Sequence, residues 1–157
     1  MTMRSALGLA ALGLALVPVP AGAAVPPPCD ASQLEITTGA RPDPVFSQRM
    51  HYVRFVAQPG VTCVLKGPLR DLSFFAGDGA AIDVPQEPPA APGSHAVVTD
   101  SSPKQAYILL PDTVFGPTAA RITFTLPSDG SDQAVDVPFA GVVTGTARLG
   151  NVTDPAA

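Results

Sequence analysis

The sequence predicts an all-β domain, an immunoglobulin-like two-sheet antiparallel β-sandwich tied by one disulfide. Three observations lead there. Short runs rich in Val, Ile, Thr and Phe alternate apolar and polar residues, which puts every second side chain on one face of a strand. Gly, Pro, Asp and Ser interrupt these runs about every 8–12 residues, the turn spacing of a sandwich. Two cysteines, Cys29 and Cys63, flank the first two strand patterns.

The chain opens on a segment that is not part of the domain. Arg4 is followed by an apolar run from Ala6 to Val17 and then Ala21-Gly22-Ala23, the pattern of a secretory signal peptide over 1–23. The run has 12 residues, short of the roughly 20 that span a bilayer. Cleavage after residue 23 of 157 leaves 134 residues, enough for one domain with a core. Losing Arg4 leaves 8 Lys+Arg against 13 Asp+Glu, a net charge of about −5. The cations are scattered, which excludes nucleic acid and anionic membrane surfaces as partners. The expected location is secreted, in the medium or the cell envelope, with no membrane anchor after cleavage.

Two cysteines in an exported chain read as one disulfide. Closing a loop of about 35 residues contributes about 3.8 kcal/mol in the chain-entropy account. A metal pair and two free thiols are the alternatives. Zinc takes four ligands, and no His neighbours either Cys. Cys29 follows Pro26-Pro27-Pro28 rather than the small residues of a lipidation site.

Residues 24–28 form a Pro-rich lead-in, 29–149 the sandwich and 150–157 a flexible C-terminal tail. Leu34 to Thr38 alternates as a half-buried strand. Met50 to Ala57 follows, with Val53, Phe55 and Ala57 on one face and Tyr52 and Arg54 on the other. Pro59-Gly60 turns the chain into a short strand with Cys63 and Leu65. Leu72 to Phe75 is the next strand, closed by Gly77-Asp78-Gly79. Ile82 to Val84 is short. Pro85 to Pro92 holds four prolines in eight residues and reads as a loop or an edge crossing between sheets, and with the outward strand faces it is where a partner is expected. Ser94 to Thr99 and Gln105 to Leu110 are further strands, and Pro111 to Pro117 is a loop. Arg121 to Leu126 alternates most cleanly, with Ile122, Phe124 and Leu126 inward. Val135, Val137 and Phe139 define the next inward face, and Val142 to Ala147 suggests a last strand.

Residues with chemical capability are few. His51 and His95 are the only histidines. They are candidate metal ligands, together with Met50, but no His-x-His or Cys-His-Met cluster accompanies them. No cofactor or metal site is expected. No G-x-S-x-G elbow is present. The serines and Asp78, Asp129 and Asp132 fall in turns, where backbone hydrogen bonding accounts for them. Asn151-Val152-Thr153 matches the N-glycosylation pattern, although the Ala/Leu-rich signal segment is of bacterial type. Tyr52 and Arg54 on an outward strand face, and Phe46 and Phe115 in Pro-flanked loops, are the candidate contact surface.

The stretch Cys63-Val64-Leu65-Lys66-Gly67-Pro68, after a strand with Val53 and Phe55 and an earlier Cys29, resembles a known family. This is the actinobacterial secreted and lipoprotein domain of unknown function 4232. Pro92-Gly93-Ser94-His95-Ala96 stands where that family has Pro-Gly-x-x-Ala. Ala57 and Gln58 replace the family's usual Asn, and the aromatic between Gly67 and Pro68 is missing. The resemblance covers roughly Cys29 to Phe139. It implies a disulfide-tied sandwich outside the membrane and transfers no catalytic residue. The expected function is a non-enzymatic binding module for an unknown protein or cell-envelope partner. A carrier for a small ligand or metal ion is the alternative, and a small hydrolase comes last.

Overall fold

A computed structural model describes residue 22 and residues 24–129 and 132–156. The signal peptide assigned to 1–23 lies outside them apart from Gly22. Among the described residues every regular element is a strand, except for one short 3₁₀ turn at Ala31–Gln33. Among the described residues no helix is long and apolar enough to cross a membrane.

Ten strands follow in order. They are β1 (Leu34–Ala40), β2 (Gln48–Ala57), β3 (Cys63–Leu65), β4 (Arg70–Phe75) and β5 (Ala81–Ile82), then β6 (Ala96–Val98), β7 (Lys104–Pro111), β8 (Thr118–Thr125), β9 (Ala134–Val142) and β10 (Arg148–Leu149). One antiparallel sheet has the order β1-β2-β7-β10 and a second the order β5-β4-β8-β9. β3 and β6 form a separate two-stranded ribbon.

The period-two pattern explains the layering. β2 turns His51, Val53, Phe55 and Ala57 inward, and β7 turns Ala106, Ile108 and Leu110 to the same side. From the second sheet come Leu72 and Phe74, Ile122 and Phe124, and Val135, Val137 and Phe139. Apart from His51, these side chains share one hydrophobic core. Phe55 of β2 meets Phe124 of β8 edge-on at 6.4 Å between ring centroids, a favoured aromatic geometry. The two four-stranded sheets therefore face each other across a sandwich-like interior.

Cys29 and Cys63 form the disulfide. The backbone reinforces it: Cys29 N–H donates to the Val64 carbonyl at 3.0 Å, and Val64 N–H to the Pro27 carbonyl at 2.9 Å. The lead-in is thus held from Pro27 onward.

Most strand ends shift by one to three residues from the sequence expectation, Ser94–Thr99 for example shortening to Ala96–Val98. The strand expected over Ile82–Val84 is Ala81–Ile82. The one expected over Val142–Ala147 is replaced: β9 runs on to Val142, Gly145 breaks the chain at φ +66°, and β10 begins at Arg148. The largest difference is the C-terminus. The tail expected from residue 150 is docked as far as Ala156, whose N–H donates to the Tyr107 hydroxyl at 2.7 Å. Val152 is buried, and its N–H donates to the Gly67 carbonyl at 2.9 Å. Thr153 and Gln105 exchange both backbone hydrogen bonds, and Asp154 pairs with Lys104. Paired backbone and a buried Val replace the solvent that a frayed end would need.

Candidate functional site

Two loops meet at one end of the molecule, residues 41–47 between β1 and β2 and residues 112–117 between β7 and β8. β2 and β7 pair in register, with Gln48 opposite Pro111, so their loops emerge side by side. Val45 and Gln48 exchange backbone hydrogen bonds at 2.8 and 3.0 Å. That tight closure holds Phe46 and Ser47 at φ 49° and 59°, a left-handed conformation side chains seldom adopt. It also throws the Phe46 ring into solvent, 96% exposed. On the other loop Val114 and Phe115 are each 81% exposed. Asp112 N–H donates to the Ser47 carbonyl at 3.0 Å, and Arg49 donates Nε–H and Nη2–H to Asp112 Oδ1 at 3.1 and 2.7 Å. The loops are thereby locked to each other.

Below them lies a cleft of about 300 Å³ reaching His51. His51 is 2% exposed, and its Nε2 has no hydrogen-bond partner among the described residues. Its ring packs on Phe139 of the opposite sheet at 4.7 Å between centroids. Burial, followed by the nearby Arg49 charge, pushes its pKa down to about 4, so the imidazole is neutral at pH 7. Gly141 makes the placement possible. A Cβ there would stand 2.6 Å from His51 Cε1 and 3.1 Å from Nε2, closer than a side chain tolerates.

The other candidates are dispersed. Tyr52 and Arg54 lie on the outer face of the first sheet, half-buried, opposite Tyr107 and Gln105 on β7. Tyr52 is four residues from the loop end, about 13 Å along the strand, so these two do not share a surface with Phe115. His95 is at the other end, with Nε2 3.4 Å from Asp129 Oδ2 and half of its side chain exposed. His51 and His95 line different clefts, and among the described residues no three His, Cys, Asp or Glu side chains are placed to hold a metal. Ser128 sits beside Asp129, but its hydroxyl donates to the Cys29 carbonyl at 2.9 Å and serves the fold. Asn151 of the glycosylation pattern is likewise occupied: its amide donates to the Ala91 carbonyl at 3.1 Å and accepts from Gly93 N–H at 3.3 Å.

Sequence reasoning placed Phe46 and Phe115 separately as contact candidates, without the hydrogen bonds that make them neighbours. His51 was legible as in phase with Val53 and Phe55. Its partner Gly141 was not, because nothing local to either residue relates β2 to β9.

Comparison of the chain with family models, curated proteins and solved structures gives no match.

Proposed function

We propose that this is a secreted, non-enzymatic binding module that recognises its partner through the loop end carrying Phe46, Val114 and Phe115. The observation behind it is the exposure of three large apolar side chains on two loops locked together by backbone and Arg49–Asp112 hydrogen bonds. Exposed large apolar side chains on a rigid scaffold are a usual place for contact. The disulfide and the sandwich-like fold favour a location outside the cytoplasm.

The same proposal includes an immunoglobulin-like topology. The order β1-β2-β7 parallels the A-B-E order of such domains, and β5-β4-β8-β9 parallels C′-C-F-G. The disulfide differs, because it ties the N-terminal lead-in to β3 rather than bridging the two sheets. Kinship with the domain of unknown function 4232 remains part of the proposal, resting on the residues quoted above.

The test is retention of a cell-envelope component by the immobilised mature protein. The triple variant Phe46→Ser/Val114→Ser/Phe115→Ser is expected to lose that component while remaining folded. A hydrolytic activity abolished by changing a single Ser, His or Asp would overturn the module reading.

One observation favours a second reading, a carrier for a small ligand: the unpartnered Nε2 of His51 at a cleft beneath those loops.

A further inference from the structure

We infer that the cleft over His51 binds a small carboxylic acid with an apolar body. This rests on the second reading, in which the cleft holds a ligand, and adds the ligand's chemistry.

The first support is the orphaned nitrogen. Buried polar atoms almost always have a partner, and leaving one unpaired is costly. His51 Nε2 is buried without one, and it belongs to a side chain lining the cleft. Gly141, which also lines the cleft, lets the backbone pack directly on the Cε1–Nε2 edge of His51, where any side chain would clash. Glycine within a strand often marks such a close approach.

The second support is Arg49. A guanidinium has five N–H groups. Asp112 Oδ1 takes one from Nε and one from Nη2. The other three have no acceptor among the described residues. Asp112 also fixes the plane of the group, which favours carboxylate recognition. The neutral imidazole of His51 carries one N–H and no second positive charge, and a carboxylate would favour the tautomer with that N–H on Nε2. Pro111, Val114 and Val142 supply apolar wall for the rest of the molecule.

Other ligand classes fit less well. A divalent cation lacks a ligand set here and would face Arg49. An ammonium group offers Arg49 only donors, and an alcohol oxygen accepts without the charge that strengthens the bond. The volume, about 300 Å³, is at the small end for ligand clefts.

The test titrates ¹⁵N-labelled mature protein at pH 7 with sodium hexanoate, hexylamine and 1-hexanol, following the His51 imidazole nitrogens by NMR. Hexanoate alone is expected to shift the Nε2 resonance saturably. Arg49→Gln should weaken that binding by about 10- to 100-fold. Val114→Glu, an exposed change that leaves the core intact, should weaken it by placing a negative charge at the mouth. Asn151→Ala, remote from the cleft, should leave it unchanged. A response to hexanol equal to that to hexanoate would overturn the carboxylate assignment while leaving the carrier reading in place. No response to any of the three would overturn both.

Discussion

Two loop regions of this molecule make opposite use of similar composition. The Pro-rich segment 85–93 is the longest irregular stretch between strands and, by sequence, an obvious place for recognition. It is sewn down. Gln86 Nε2–H donates to the Leu72 carbonyl at 2.6 Å, Glu87 N–H to the Ala147 carbonyl at 2.9 Å, and Asn151 grips Ala91 and Gly93. Arg148 donates to both carboxylate oxygens of Glu87 at 2.7 and 3.1 Å, which lowers the Glu87 pKa. The paired loops 41–47 and 112–117 are also Pro-flanked, but they spend their hydrogen bonds on each other and leave their large apolar side chains outside. Proline content marks where strands stop. Whether the loop is then structural or free to bind depends on where its side chains find partners.

The disulfide reinforces the sewn-down end, so its loss is the most severe way to disturb the contrast. Cys29→Ser/Cys63→Ser is expected to lower stability by about 2–4 kcal/mol in urea unfolding. Where the variant remains folded, binding at the loop end should be retained. Loss of binding in a variant with native circular dichroism would show that the two ends are not independent.

The loop end has its own vulnerability in His51. Its folded pKa, about 4, lies below the 6.5 expected of an unfolded His. Unfolded chains take up that proton as pH falls through 6.5, and the folded protein does not until about 4. The stabilisation is therefore complete above pH 6.5 and lost progressively towards pH 4, by at most about 3 kcal/mol. Hydrogen bonds from Ser32 and Arg148 lower the carboxyl pKa of Asp30 and Glu87, and His51→Gln leaves both contacts in place. Urea midpoints at pH 7.0 and 4.5 should differ clearly in the wild type and much less in His51→Gln. Equal pH dependence in the two proteins would contradict the burial of a neutral imidazole.

Asn151→Ala sharpens the contrast from the opposite side. It removes both side-chain hydrogen bonds that hold 91–93, at about 1–2 kcal/mol. Limited proteolysis should then cut within 85–93, while the loops 41–47 and 112–117 keep their wild-type protection. Unchanged protection of 85–93 would mean that the Glu87 contacts suffice. The smallest stability effect belongs to Phe46→Ser and Phe115→Ser, within about 0.5 kcal/mol because neither ring is buried.

Most of the architecture was legible because the core strands alternate strictly. Ile122, Phe124 and Leu126, or Val53, Phe55 and Ala57, assign an inner face without any knowledge of the partner strand. The C-terminus was not legible, because Asn151-Val152-Thr153 has one apolar residue and its pairing with Gly67 and Gln105 is entirely long-range. The site was half legible. Flanking prolines pointed Phe46 and Phe115 outward, whereas His51, at the start of its strand, reads by sequence as partly exposed and is in fact buried. The orphaned nitrogen, the space left by Gly141 and the Arg49–Asp112 clasp depend on strands distant in sequence, and only the folded chain brings them together.

The most direct test compares two variants for retention of a cell-envelope component by the mature protein. One is Phe46→Ser/Val114→Ser/Phe115→Ser, and the other is Glu87→Ala/Pro88→Ser in the Pro-rich loop. Retention should be lost in the first and kept in the second. Retention kept in the first and lost in the second would place recognition on the sewn-down loop and contradict the account.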